Sequence, residues 1–537
     1  MSRALPARNT RALPSPKTYM PASKALSAGL LMFALLSRTA SPTWASAPEA
    51  ATPTIVWPTQ GWQVSTPEEQ GMDPAALAKL VHAIGERRQD SLLIVRHGKI
   101  ILDAYYAPYA AGIPHDLRSV TKSVIGTLVA IALRQGLIDT VEQPVVPLFP
   151  DKQISNLDDK KKSITLQNLL DMNSGLDWRE RAYTPDETIS QMYRSPDPTE
   201  FVLSRPMSIT PGSAFEYDSG NPYVLSAIIS RKTGKSAFAY AQSELFAPLG
   251  IRSAHWDRLD AQGVTDGESG LFLTPREMAK IGYLYLHDGA WDGRRIIPST
   301  WVARAKAGPV VATGGFNYAN LWWSLPAWDA YMARGRHSQL ILVLPSLDVV
   351  AVMTGYMRDT EYYPVTSLIN YIARAERSTA PLPPDAAGQA LLAAAIREAA
   401  TEKPSNTAPP PPIAQEISGK TYRFDDNVLR LKTLSVTLVG ADPRWEVTIA
   451  STQPDTPAER FSGPLGLDGR FGLDHERRGI NAVKGRWPND HLFSVSRRIL
   501  GHGETQRWNF IFEGRTLDLQ VTTTDGFTAE LHGERAD

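Results

Sequence analysis

Ser119 and Lys122 stand three residues apart in the run H-D-L-R-S-V-T-K-S-V-I-G-T-L-V-A-I-A-L-R-Q-G, residues 115–136. On a helix that spacing places both side chains on one face. A serine hydroxyl is a weak nucleophile until a base takes its proton, and a neutral lysine amine can be that base. The first turn of a helix disfavours positive charge, so a lysine there should release its proton more readily. The chemistry this predicts is attack by Ser119 with Lys122 as base. The Ser-x-x-Lys pattern alone is weak, because roughly one or two chance matches are expected in a chain of this length. A serine that only caps a helix, beside a lysine reaching for water, would read the same. The weight lies in placement: this match opens the most apolar helix of the chain, with Val120, Val124, Ile125, Leu128, Val129, Ile131 and Leu133 facing nearly all round. Such a helix is buried inside a large protein. It is too short for a bilayer span of roughly 20 apolar residues.

Acyl transfer also needs a proton for the leaving group and a site for the oxyanion. A tyrosine hydroxyl both donates and accepts. The candidate is Tyr217 in P-G-S-A-F-E-Y-D-S-G-N-P, between a Pro-Gly turn and a predicted helix for which Asn221 reads as the cap.

The elements that must position these residues follow from hydrophobic periodicity. Pro74 to Arg88 predicts an amphipathic helix. Ser91–Arg96 and Ile100–Tyr105 predict a hairpin, and the buried helix follows it. Residues 144–162 predict an irregular loop, Ile164–Met172 a helix, and residues 177–211, with Trp178, Tyr183 and Tyr193, a polar binding loop or lid. Helices are then predicted from Asn221, Ser236 and Thr274-Pro275. From Tyr318 the period changes to strands: N-L-W-W-S-L-P, Asp329–Ala333, Gln339–Leu344 and Val349–Thr354, closed by a helix over 363–377. Of Trp322 and Trp323, one should face a cleft and the other the core. The N- and C-terminal parts of residues 55–377 can pair into one antiparallel sheet flanked by helices, with the helical block inserted, an α+β fold. Residues 378–415 turn to Ala, Pro and Thr and read as a linker with one helix over 386–401. Residues 416–537 carry about ten short strands, which predicts an all-β barrel or sandwich. That domain shows no catalytic cluster; His475, His491 and His502 are scattered through it.

The chain has 537 residues, 56 basic and 56 acidic, and no cysteine. Zero net charge argues against nucleic acid as a partner. Disulfides, thiolate catalysis and cysteine–zinc sites are excluded. There is no Gly-x-Ser-x-Gly elbow, no His-Glu-x-x-His, and no dinucleotide or phosphate-loop signature. No metal and no cofactor is expected. Arg3, Arg8, Arg11, Lys17 and Lys24 precede an apolar run over 25–36 and small residues, the layout of a secretory signal peptide over residues 1–45, with cleavage after Ala45 preferred. Export to the periplasm or beyond is expected, with no transmembrane segment in the mature chain.

Four stretches together resemble the serine β-lactamase and penicillin-binding protein superfamily. They are Ser119-Val-Thr-Lys122, then I-T-L-Q-N-L-L-D-M-N-S-G-L, then Tyr217-Asp-Ser219, and Gly335-Arg-His337-Ser-Gln339 ahead of an apolar strand. The phrases L-T-P-R-E-M-A-K-I-G and D-G-R-R-I-I-P-S-T-W-V bring the resemblance nearer to the class C β-lactamase-like branch, which holds esterases, D-amino-acid peptidases and 6-aminohexanoate-dimer hydrolases. The resemblance spans roughly residues 60–375. It implies an acyl-enzyme on Ser119, with Lys122 and Tyr217 sharing proton transfer. It also implies an oxyanion hole made by the Ser119 N–H and a strand N–H near Ser338 or Gln339. Ser219, His337, Ser338 and Gln339 are the further substrate or oxyanion candidates. His337 and Ser338 depart from the glycine-rich forms of the third motif, and Arg336 is the available cation. The implied substrate is a small amide, ester or peptide, with linear amide oligomers such as 6-aminohexanoate dimers among the candidates. A penicillin-binding-like peptidase or β-lactamase is the alternative, and a catalytically silent binder of cell-wall peptide is the alternative of another class. A lid, a dimer contact and a wall-binding module are all compatible with the C-terminal strands.

Overall fold

A computed structural model describes residues 55–181, 184–358, 361–405, 409–451, 456–476 and 479–536. The signal-peptide expectation over residues 1–45, and Tyr183, lie outside them. Among the described residues no helix is long and apolar enough to cross a membrane.

The hydrolase-like region is built on one nine-stranded sheet. Helix α1 (Pro74–Gly85) leads into the hairpin β1 (Gln89–Arg96) and β2 (Lys99–Tyr105). Then come α2 (Val120–Arg134), α3 (Gly220–Thr233) and α4 (Pro275–Leu286). The later strands are β3 (Trp322–Leu325), β4 (Ala330–Gly335), β5 (Gln339–Leu344) and β6 (Val349–Gly355). Helices α5 (Val365–Ala375) and α6 (Ala386–Ala399) follow. The spatial order is Gln63–Val64, β2, β1, β6, β5, β4, β3, Asn317–Ala319, Val310–Val311. The first and last parts of the region therefore meet at β1 and β6, where Val350 pairs with Val95 and Val352 with Leu93. The helical block is inserted between them, as expected from the order of periods.

Strand alternation divides the core in two. Leu93, Val95, Ile341, Val343, Val350 and Val352 face α2, α3 and α4. Leu92, Ile94, Leu340, Leu342, Ala351 and Met353 face α1, α5 and α6. Covered on both faces, these strands read as unbroken apolar runs. Helix α6, within the stretch read as a linker, buries Leu392 and Ala395 in the second cluster.

The helix expected from Ser236 runs from Ala237 to Leu249 with a π-helical stretch at Gln242–Phe246. The polar stretch after Asp177 contains helices Thr188–Arg194 and Pro198–Leu203. Helix α3 starts at Gly220, so Asn221 is not its cap. Ser219 holds the cap position without a side-chain capping bond, and Asp218 before it satisfies the first turn, its side chain accepting from the Gly220 N–H at 2.7 Å and its carbonyl from the Asn221 N–H at 3.2 Å.

The C-terminal strands form one ten-stranded sheet from Thr421 to Arg535. It curls until a bridge joins Gly466, just past one end strand, to Lys484, next to the other, giving a nearly closed barrel rather than a sandwich. Tyr422, Leu434, Trp445, Phe493, Phe510 and Leu519 fill its interior. Closure leaves few unpaired edges.

Candidate active site

Helix α2 is buried over Val120–Ala132, and Ser119 sits at its N-cap position without making a side-chain capping bond. The capping alternative for Ser119 therefore does not hold. Its Oγ instead accepts a hydrogen bond from Lys122 Nζ at 2.8 Å. Asp116 stabilises the turn, its Oδ1 accepting from the Arg118 N–H at 2.9 Å. Lys122 is 1% exposed, so it does not reach for water. Its Nζ also donates to the Glu268 carbonyl and to Glu268 Oε2, each at 3.0 Å.

Glu268 is a site residue that the sequence reading missed. Burial works to raise its carboxyl, but Lys122, a hydrogen bond from the Tyr193 hydroxyl and Arg258 overcome this and hold it below the usual carboxylate range. The consequence is a buried ammonium–carboxylate pair beside the nucleophile. The expectation of a lysine eased towards neutrality by the helix terminus alone is thereby changed, because Glu268 favours the charged amine. The only local signal was the short turn T-D-G-E-S-G, which carries two acids and two glycines.

Tyr217 stacks on Trp323, with ring centroids 5.9 Å apart and planes 20° apart. Lys122 Nζ lies 5.2 Å from the Tyr217 ring centre. Burial pushes the phenol above its ordinary value, opposed by the Lys122 ammonium and by a hydrogen bond with Ser119. Ser119, Lys122 and Tyr217, chosen from separate stretches, thus meet at one point. Trp322 is fully buried and Trp323 lines the cleft.

Ser219 serves the site indirectly. Its N–H and hydroxyl donate to the two carboxylate oxygens of Glu180, each at 2.8 Å. Glu180 lines the cleft, and burial raises its carboxyl against the pull of Lys122.

The third motif runs from the last residue of β4 to the first of β5: Gly335 and Gln339 pair, and the turn between them carries His337 and Ser338 at φ 62° and 72°. All three later candidates are buried and turned from the cleft. His337 Nδ1 meets the Met357 carbonyl at 2.7 Å. Ser338 Oγ accepts from the Tyr363 N–H at 2.9 Å. The Gln339 amide donates to the Gly355 carbonyl at 2.9 Å. The residues against the nucleophile are Gly335 and Arg336. A Cβ on Gly335 would fall 2.5 Å from the Leu117 carbonyl oxygen and 3.1 Å from the Ser119 nitrogen. A side chain there would displace the backbone that presents the serine. The strand-side oxyanion candidate accordingly moves from Ser338 or Gln339 to the Gly335–Arg336 backbone.

The cleft has a volume of about 940 Å³, with Trp178, Phe215, Tyr217 and Trp323 as its apolar wall; Arg179, Arg181, Arg334 and Arg336 line it together with the carboxylates of Asp177, Glu180, Asp186, Glu187 and Glu216. A second lobe of about 480 Å³ opens on the other side of Ser119.

A sheet with helices on both faces and a serine–lysine pair opening the central helix defines the class. The chain belongs to the Beta-lactamase family, whose family model matches residues 77–355. It is 26% identical over 323 residues to the 6-aminohexanoate-dimer hydrolase of Paenarthrobacter ureafaciens, a match covering 55% of this chain and 81% of that protein. Among solved structures it is similar to a Bacillus anthracis protein provisionally assigned the same activity, at 21% identity and a TM-score of 0.50, covering 59% of this chain and 88% of that one.

Proposed function

We propose that this protein is a serine hydrolase that cleaves small amides or esters through an acyl-enzyme on Ser119. The observation that carries the reading is the 2.8 Å contact between Ser119 Oγ and Lys122 Nζ in a cleft that Tyr217 also lines. Lys122 in its neutral form accepts the Ser119 proton as Oγ bonds to the substrate carbonyl carbon, and Glu268 stays ionised and stabilises the ammonium that forms. The Ser119 N–H and the backbone at Gly335–Arg336 face the developing oxyanion. Tyr217 delivers a proton to the departing amine or alkoxide, and water then releases the acid by the reverse relay.

The substrate class is a linear amide, 6-aminohexanoate dimers included, or a short ester. The similarity to the Paenarthrobacter hydrolase supports this, as does an apolar wall facing Arg334 and Arg336, which suits a flexible aliphatic chain ending in a carboxylate. The same arginines favour a second reading, a penicillin-binding-like peptidase or β-lactamase, because β-lactams carry a carboxylate too. The N-terminal pattern supports export.

The test is peptide mapping after treatment with a fluorophosphonate, on wild type and Lys122→Ala. An adduct on Ser119 that Lys122→Ala abolishes supports the mechanism. Folded wild type without an adduct excludes it and makes a silent binder the leading reading. Release of 6-aminohexanoate from its linear dimer, set against nitrocefin turnover, separates the substrate classes.

A further inference from the structure

The barrel reaches the nucleophile. The loop Leu500–Glu504 between two of its strands lies on the turn before α2. Asp116 N–H donates to the Gly501 carbonyl at 2.7 Å. Arg118 Nη2 donates to the His502 carbonyl at 2.7 Å. Gly501 and Gly503 have φ of 84° and 74°, the left-handed region. A Cβ at 501 would fall 2.2 Å from the Pro114 carbonyl oxygen, and one at 503 would fall 2.9 Å from the His337 ring. Only glycine permits both the turn and the approach.

A second barrel turn adds Asp525. Its Oδ1 lies 3.3 Å from Arg336 Nη2 and 3.3 Å from His337 Nε2. Glu504 Oε1 lies 3.8 Å from Arg118 Nη2, and burial, then the neighbouring Asp525 carboxyl, pushes its own carboxyl above the ordinary range. Both acids line the second lobe together with Ser119, Arg118 and Arg336. Behind them, buried Arg498 from the barrel donates to Asp90 Oδ1 at 2.7 Å, and His115 meets the other Asp90 oxygen at 3.2 Å.

These contacts fall on strained backbone. Arg118, immediately before Ser119, has φ 50°, and His337 and Ser338 also lie in the left-handed region. Such conformations persist at non-glycine residues only where the surroundings over-determine them. The barrel supplies part of those surroundings, through the His502 carbonyl at Arg118 and through Gly503 and Asp525 at His337.

We propose that the C-terminal barrel is a working wall of the hydrolytic site: the Gly501 and His502 carbonyls hold Asp116 and Arg118, Glu504 faces Arg118 and Asp525 holds Arg336, and together they position the two backbone segments that face the oxyanion. Asp525 and Glu504 are positioning residues. The inference rests on the Ser119 hydrolase reading.

The experiment uses the full chain, with p-nitrophenyl esters as substrate and a fluorophosphonate both as active-site titrant and as rate probe. Misplacing one oxyanion donor acts in the transition state, so Asp525→Ala should lower kcat per titrated site by roughly 10–100-fold with KM nearly unchanged, and slow labelling by the same factor. Asp525→Asn, which keeps the shape and one acceptor oxygen, should recover part of the loss. If Asp525→Ala does not fold, Asp525→Asn decides alone, with a loss of about tenfold expected. A barrel that only stabilises the chain would lower the titratable fraction and Tm while leaving kcat per titrated site within twofold of wild type, and that result overturns the proposal. Wild type that takes no label defeats the hydrolase reading itself. Wild type and Asp525 variants that label at equal rates defeat only the role of the barrel.

Discussion

Ser119 stands between two walls of different origin. On one side Lys122 comes from the same helix, one turn on, and its contact with Ser119 spans three residues of sequence. On the other side Arg118 is held by the His502 carbonyl, 384 residues away. The first wall is dictated by helical spacing and, under the proposed mechanism, is the proton relay. The second supplies fixed geometry and exists only because the barrel docks with two glycines against the catalytic turn. Reactive groups can thus be local while the restraint on them is remote.

The sharpest break of that contrast is on the local wall. Ser119→Ala should remove fluorophosphonate labelling and lower turnover by at least about a thousandfold, measured as kcat on a short ester or amide. Lys122→Ala should do nearly the same and should also destabilise, since it leaves Glu268 buried without its cation. Breaking one partner of a buried pair costs about 3–5 kcal/mol, read from urea unfolding. The double variant Lys122→Met with Glu268→Gln should regain most of that stability and none of the activity. Stability that stays at the single-variant level would refute the pairing as the source.

Tyr217→Phe keeps the stack on Trp323 and removes the hydroxyl. A kcat reduced by about 10²–10⁴-fold with Tm nearly unchanged is expected if the phenol carries the leaving-group proton. An unchanged kcat would assign that role elsewhere.

The remote wall yields the smallest effect, on pH. Burial, and then Arg118, push the His337 imidazole down to about 4 from 6.5. The folded state binds this proton more weakly than the unfolded chain. The stabilising contribution is therefore complete above pH 6.5 and is lost as pH falls from 6.5 through about 4. The span corresponds to roughly 3 kcal/mol at most. Urea midpoints for wild type and His337→Asn should differ in slope over that interval and run parallel above it. Parallel curves throughout would remove His337 as the acid-sensitive element between barrel and sheet.

Much of the fold was legible because burial has a period. The unbroken apolar runs of β1, β5 and β6 and the all-round apolarity of α2 reported that each is covered on every side. The strands expected from the second half pair in the expected antiparallel order. The third motif misled because it reads as strand, whereas His337 and Ser338 take left-handed backbone that sequence usually signals with glycine. Asn221 misled because Asn-Pro is a common helix opening, while Asp218 three residues earlier had the better-placed acceptor. Glu268 gave no periodic signal at all, being one carboxylate in a turn.

By itself the sequence singled out Ser119, the lysine beside it and Tyr217 as candidates. It also determined which segments alternate, because spacing within one element translates directly into shared faces. Only the tertiary structure decided that Lys122 is paired with Glu268, and that Gly335 and Arg336 rather than Ser338 and Gln339 border the serine. The same is true of the ten-stranded sheet that closes the far side of the cleft. Those choices depend on which distant segments come within a few ångströms once two cores have packed, and neither composition nor local period encodes that distance.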